Sequence, residues 1–291
     1  MLAATGGISK DAFTGVYKLV GHFRGGLAMA CTVACAAFGA VCGNNIATAV
    51  TMTTVALPEM RKYKYADYFS LGTISASGNL GIMIPPSGSF VIYGFITETS
   101  IGALFIAGIL PGILVTLLYM VQIYIQARLN PNIAPLGPSV RWGERVKGSA
   151  LLLPIILVFV IVMGGIYAGL FTPTEAASVG VFIVFLIALI KRKLNFRDFT
   201  DSMRQTLIVS AFIILMVVGA MYFGSFLSIS GIPSALTRIV AGLELNSYLI
   251  LIIVLIIYIF AGMILDIFAV LVITLPIFFP IVISGLGFDP L

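Results

Sequence analysis

Apolar residues run along most of this chain in blocks long enough to cross a membrane, and polar residues are confined to short breaks between and within those blocks. Five blocks have the length of a single crossing: Phe69–Ile96, Ile101–Ile125, Ala150–Phe171, Thr174–Ile190 and Thr206–Leu227. One crossing needs roughly 20 apolar residues. Two other blocks, Gly26–Pro58 and Tyr248–Pro280, run for 33 residues each. As one straight helix, either would reach about 50 Å at about 1.5 Å per residue, against a hydrocarbon core of about 30 Å. Each must therefore fold back or cross twice. The first is broken at Gly39-Ala40-Val41-Cys42-Gly43-Asn44-Asn45, the second at Gly262-Met263-Ile264-Leu265-Asp266.

These two passages share one pattern. Gly6-Gly7-Ile8 leads through a short polar stretch to the first broken block, and Ser230-Gly231-Ile232 leads to the second. Gly7 aligns with Gly231, Gly39 with Gly262 and Thr51 with Thr274, at offsets of 224, 223 and 223. Composition fits a bilayer. With 60% hydrophobic and 9% charged residues and a mean hydropathy of +1.15, the chain cannot cover its apolar surface in water. The pI near 9.2 then reports orientation and gives no reason to expect nucleic acid.

Basic residues decide how the long blocks are threaded. Lys10, Lys18 and Arg24 precede the first, and Arg61, Lys62 and Lys64 follow it. Both its ends are cytoplasmic by the positive-inside bias, so it is expected to be a re-entrant hairpin. With that hairpin and five crossings, the groups Arg128, Arg141, Arg145, Lys147 and Lys191, Arg192, Lys193, Arg197, Arg204 fall on the same side. Of the 16 Lys and Arg residues, Arg238 alone is then external. An odd number of crossings makes the second hairpin enter from the opposite face, the inverted-repeat plan of many secondary transporters. The expected fold is an all-α integral membrane protein with two re-entrant hairpins and discontinuous helices. It forms one transport domain over residues 1–291, with repeat 1 at about 1–127 and an incomplete repeat 2 at about 206–291. No signal peptide is visible after Met1, and both ends read as cut, so a fragment is expected.

Candidate chemistry lies in the breaks. Gly43-Asn44-Asn45 places half-helix ends at membrane depth, where irregular backbone is tolerated only inside protein or along a cavity. Freed carbonyls and Asn oxygens suit a small hard cation, while the half-helix starting near Ile46 offers N–H groups to an anion. Phe69–Ile96 contains Gly78-Asn79-Leu80-Gly81 and Pro85-Pro86. Two missing N–H donors and the restriction before proline predict two half-helices around an unwound centre. Asp266 is an acid well inside an apolar run, a position that favours a cation, a proton or a wet cavity. Thr172-Pro173-Thr174-Glu175 predicts a helix start with Glu175 in a capping box. Cys31, Cys35 and Cys42 read as small packing residues and His22 as interfacial.

Several stretches together resemble the large membrane subunit of tripartite ATP-independent periplasmic (TRAP) transporters. They are GHFRGGLA at 21–28, FGAVCGNNIATAVTM at 38–52, ALPEM at 56–60 and GNLGIMIPPSGSFVIYG at 78–94, then SIGALFIAGILPG at 100–112, GGIYAGLFTPTEAA at 164–177 and GMILD at 262–266. The resemblance implies sodium-driven import of small organic anions, such as carboxylates or acidic sugars, across the bacterial inner membrane by an elevator-type movement. It implies a periplasmic solute-binding protein and a small membrane subunit as partners, besides the lipid bilayer. By position, Gly43, Asn44, Asn45, Thr48, Gly78, Gly81 and Pro85 would form one sodium site, and Gly262, Asp266 and Thr274 would contribute to a second. Asn45, Thr48, Asn79 and Ser87 are expected to meet the substrate. The family commonly carries Ser where this chain has Asn44-Asn45, and its second unwound helix would follow Leu291.

Two other classes share parts of the pattern. A re-entrant-loop ion channel uses the same half-helices but needs no binding protein. An intramembrane aspartyl protease would use Asp266 but requires a second carboxylate, and no other acid lies deep in an expected span. No Walker-type G-x-x-x-x-G-K-[ST] motif is present, so ATP is not expected to drive transport, and the transporter resemblance implies a subunit that is not an enzyme.

Overall fold

The computed structural model describes residues 2–136, 142–242 and 246–291, and every regular element among them is helical. In chain order these are α1 (Leu2–Thr5), α2 (Ile8–Val20), α3 (Gly26–Cys42), α4 (Asn45–Lys62), α5 (Asp67–Gly78), α6 (Leu80–Met83), α7 (Gly88–Thr97) and α8 (Ile101–Leu129). They continue with α9 (Trp142–Ser149), α10 (Leu153–Tyr167), α11 (Pro173–Ile190), α12 (Phe196–Ser230), α13 (Ile232–Gly242), α14 (Ser247–Ile264) and α15 (Ile267–Pro280). Arg141, one of the residues used to orient the chain, lies outside the described residues, as does the side chain of Lys147.

Six helical stretches among the described residues are long and apolar enough to cross a membrane: Ile101–Leu129, Gly143–Tyr167, Pro173–Ile190, Phe196–Ser230, Ser247–Ile264 and Ile267–Gly285. Asp67–Met83 with Gly88–Thr97 forms a broken seventh. All five expected crossings recur. Most of their ends lie further out, above all the start of α12, where Arg197, Asp198 and Asp201 continue the helix beyond the apolar run, whereas the third crossing ends earlier, at Tyr167. The second long block breaks into α14 and α15 as expected, and α14 and the stretch Ile267–Gly285 that begins with α15 are each long and apolar enough for a crossing, whereas α4 in the first block does not qualify.

Contacts divide the chain into two compact units, Met1–Gly88 with Phe105–Met203, and Ser89–Leu104 with Arg204–Leu291. In the first, α3 is the central helix, packed by α2, α4, α5, α6 and α10. Many of its inward residues are small: Ala28, Ala30, Cys31, Ala34 and Cys35 have no solvent exposure, beside the larger Leu27 and Phe38. Lipid supplies little hydrophobic drive between helices, so close backbone approach and dispersion carry the packing. Thr32 Oγ1 and Ser77 Oγ, 2.8 Å apart, add a buried hydroxyl pair between α3 and α5. The polar stretch after Gly7 is itself a helix, α2, whose Phe13 and Val16 are buried. Asp11 near its start pairs with Lys191 just past α11.

In the second unit, α14 and α15 are joined across their length by Tyr258 Oη and Thr274 Oγ1 at 2.8 Å. The Tyr93 hydroxyl of α7 donates to Pro290 O at 3.0 Å.

The α11 start matches its sequence signature. Thr172 N–H and Oγ1 each donate to Glu175 Oε2 at 2.8 Å, and Glu175 N–H returns a bond to Thr172 Oγ1 at 3.3 Å. Removing the cap in Thr172→Ala is expected to lower stability by about 1 kcal/mol, while Thr172→Ser keeps the hydroxyl and most of that stability. Thermal unfolding of the purified protein checks this.

Candidate functional site

α3 ends where Gly43 turns left-handed at φ 62°, its N–H donating to Gly39 O at 2.7 Å. That region carries no steric cost for glycine. Asn44 is extended and caps α4, its Oδ1 accepting from Ala47 N–H at 2.8 Å. The break is therefore Gly43-Asn44, and Asn45 is already the first residue of α4. Beyond α6 the backbone leaves the helix at Ile84-Pro85-Pro86-Ser87 and re-enters it at Gly88, which is the expected unwound centre.

Glycines let these two irregular segments touch. Gly43 O accepts from Gly88 N–H at 3.2 Å. A Cβ on Gly39 would lie 2.5 Å from Gly81 Cα, and one on Gly78 would lie 2.7 Å from Ala49 Cβ. A Cβ on Gly81 would lie 2.6 Å from Thr48 Oγ1 and 3.0 Å from Asn44 O. Gly43, Asn44, Asn45, Thr48, Gly78 and Gly81 thus meet in one place. Pro85 is fully buried, and it is the neighbouring Pro86 whose carbonyl faces Gly43, 3.1 Å from where a Cβ would stand. Gly39 and Gly88 belong to the same contact but were not candidates. The readable signal for Gly39 was its spacing of four from Gly43, which puts both on one face of α3.

The oxygens at the tip are neutral and only partly used. Asn44 O takes two donors, Thr48 N–H at 3.1 Å and Thr48 Oγ1 at 2.7 Å. Asn44 Oδ1 takes one, and Asn45 Oδ1 takes Ile46 N–H at 2.9 Å. A carbonyl oxygen has two lone pairs, so Gly43 O, Asn44 Oδ1 and Asn45 Oδ1 each keep one. Uncharged hard oxygens of this kind fit a small hard cation.

The candidate substrate groups divide into an outer and an inner pair. Asn45 is half-buried and Asn79 exposed, and Asn45 Nδ2 reaches Asn79 Oδ1 at 3.5 Å. Thr48 and Ser87 are buried behind them, with their hydroxyls given to Asn44 O and, at 2.6 Å, to Ile82 O. The anion site expected at Ile46 is altered as well. The Asn45 and Asn44 side chains already occupy the N–H groups of Ile46 and Ala47, leaving the helix dipole and the Asn45 amide as the attractive elements.

In the second unit, the chain breaks at Leu265, and Asp266 caps α15 with Oδ2 accepting from Phe268 N–H at 3.2 Å. Gly262 and Asp266 are exposed. Thr274 stands eight residues along α15, about 12 Å from Asp266, and its hydroxyl is bonded to Val270 O and Tyr258. Gly262, Asp266 and Thr274 are therefore not brought together as Gly43, Thr48 and Gly81 are. Asp266 acts as a helix cap, which a lone acid at a helix break explains without a buried cation.

Comparison with known proteins follows the same lines. The family described as "Tripartite ATP-independent periplasmic transporter, DctM component" matches residues 1–291. A C4-dicarboxylate TRAP transporter large permease protein of Pseudomonas aeruginosa is 36% identical over 288 residues, 99% of this chain and 67% of that protein. An ectoine/5-hydroxyectoine TRAP large permease of Ruegeria pomeroyi is 35% identical over 276 residues, 94% of this chain and 64% of that protein. A sialic acid TRAP large permease of Vibrio cholerae is 31% identical over 290 residues, 99% of this chain and 67% of that protein. The chain spans about two thirds of the length of these curated relatives.

Gly81→Ala forces a methyl group against Thr48 and Asn44, and overpacking of this kind costs about 1–3 kcal/mol. Its melting temperature is expected to fall, whereas Gly72→Ala, with nothing within 4 Å of its Cβ position, should melt no lower than the parent. Equal melting of Gly81→Ala and the parent would show that the tip does not depend on this contact.

Proposed function

We propose a function on one premise: the chain belongs to the tripartite ATP-independent periplasmic transporter family, as its large permease component. It is a multi-pass protein of the inner membrane and a transport subunit, not an enzyme. On this reading it imports a small organic anion, a carboxylate or acidic sugar, coupled to sodium. The substrate arrives on a periplasmic solute-binding protein, and a small membrane subunit braces the permease.

One observation carries the coupling. The hairpin tip offers uncharged oxygens from Gly43, Asn44 and Asn45, and Asn45 and Asn79 lie beside them. Residues 39–49 and 78–88 include no Lys, Arg, His, Asp or Glu. An anion placed there meets amide donors and a helix dipole but no fixed positive charge. A bound sodium ion would supply that charge, so each ion would raise the affinity for the other, and the linkage is reciprocal. Sodium would provide the electrostatic complement here, while Gly43, Asn44, Asn45 and Thr48 position oxygens around it.

The energetics allow accumulation. Two sodium ions entering under about 100 mV and a tenfold gradient release roughly 7 kcal/mol. A monoanion costs about 2.3 kcal/mol against the same potential, leaving roughly 5 kcal/mol. Support for the inverted repeat comes from local succession within each unit. Gly7 and Gly231 both have positive φ, at 73° and 67°. Each opens a helix, α2 or α13, that is followed by an apolar helix, a break capped by Asn44 or Asp266, and a further helix. Asp266 would share the tip of an outward-opening hairpin, and a second sodium site there would draw on groups other than Thr274.

Two measurements test the proposal. Uptake by the complete transporter in vesicles, supplied with its binding protein, should require an inward sodium gradient, and Asn45→Ala should lower it about a hundredfold or more, as loss of two charge-assisted contacts implies. Undiminished uptake after collapse of the gradient would exclude sodium coupling. Single cysteines at Lys10 and Lys64 should label from one side only; labelling from opposite sides would make the first block a crossing.

A further inference from the structure

We propose that a cavity between α5 and α8, separate from the hairpin tip, holds one diacyl phospholipid at its glycerol-phosphate region. The two helices are tied together at their charged ends, where Ala66 N–H before α5 donates to Ile133 O after α8 at 3.0 Å. Above that tie lies a cavity of about 310 Å³. Phe69, Ala76 and Ile123 give it an apolar floor, while Tyr68, Thr73, Tyr119, Gln122 and Gln126 give it polar walls.

Those polar groups point to a ligand. Among the described residues, none of the side chains of Tyr68, Thr73, Tyr119, Gln122 and Gln126 finds a hydrogen-bond acceptor or donor in the protein. Thr73 is 92% buried, being 8% exposed. Gln122 and Gln126 lie on one face of α8, four residues apart, in a helix whose other residues from Ile101 to Ile125 are overwhelmingly apolar. An amide turned toward hydrocarbon without a partner is costly, so the pair needs an occupant that can donate or accept.

Position and chemistry select the occupant. Arg128 closes α8, and Gln122 stands six residues before it, about 9 Å deeper. By difference between hydrocarbon and total thickness, the polar layer of one leaflet is about 5–8 Å. The cavity therefore spans the depth at which a phospholipid changes from phosphate and ester to acyl chain. Amide and phenol donors match phosphate and ester oxygens, and the floor matches the first methylenes. The walls carry no formal charge, so headgroup charge is not selected. A volume near the lower end of small-molecule sites, about 300–1,000 Å³, suits part of one lipid better than a helix about 10 Å across.

The test uses the full-length protein purified with its membrane partner, stripped in detergent, reloaded with deuterated phosphatidylethanolamine or phosphatidylglycerol, and examined by native mass spectrometry. One retained lipid per chain is expected with either headgroup. Gln122→Leu with Gln126→Leu should lower retention roughly tenfold, as expected from two lost neutral hydrogen-bonding groups. Gly72→Leu should have the same effect by filling the cavity, since a Cβ there meets nothing within 4 Å. Leucine is also the better helix former, so this second variant should stay folded. Unchanged retention in both variants would overturn the assignment. So would crosslinking of Gln122→Cys to the partner's helix in native membranes, which would make the cavity a protein interface. Neither result bears on sodium dependence of uptake.

Discussion

A helix that breaks inside a membrane must hide its freed backbone groups, and the hairpin tip in this chain does so by pressing one break against another. Gly43 O meets Gly88 N–H at 3.2 Å, and the Gly39 and Gly81 backbones pass without side chains between them. Hydrocarbon offers no hydrogen bonds, so two irregular segments each satisfying the other cost less than either alone. The small residues of α3 follow from the same requirement. Ala30, Cys31, Ala34 and Cys35 let neighbouring helices close around α3, which also packs against α6.

Much of this was readable before any coordinates. The apolar blocks gave the crossings, since length and composition are all that a bilayer demands. The break at Gly43-Asn44, the unwinding at Pro85-Pro86 and the Thr172–Glu175 capping box were legible because each depends on residues with a special local conformation. What escaped was set by amphipathicity or by distance in sequence. α2 read as a short polar stretch because Ser9, Lys10, Asp11, Thr14 and Lys18 interrupt its apolar residues, so its one buried face never forms a continuous apolar block. Gly88 gave no sign of its bond to Gly43, 45 residues away, because backbone pairing leaves no trace in side-chain identity.

Thr274 shows a different limit. The family resemblance assigned it to one site with Gly262 and Asp266, but helical rise separates it from Asp266 by about 12 Å. Its buried hydroxyl serves Val270 O and Tyr258, which holds α14 to α15. Position in a repeat identifies equivalent places in the backbone, while ligand sets are decided by which side chains turn toward one point.

The two breaks also differ in charge, and that difference follows from what each cap must do. Asn44 satisfies Ala47 N–H with a neutral oxygen that keeps a lone pair, so the cap and a ligand can share it. Asp266 satisfies Phe268 N–H with a full negative charge, in a position open to its surroundings. A carboxylate at a helix N-terminus is stabilised by the dipole whether or not a cation arrives, so its pull on a cation is partly offset in advance. At the first tip the caps are neutral and no formal charge offsets the dipole, so the same helix end remains attractive to an anion. On the proposed reading, the neutral tip is therefore the one suited to hold substrate and sodium together, because there each ion supplies the charge that the protein leaves out.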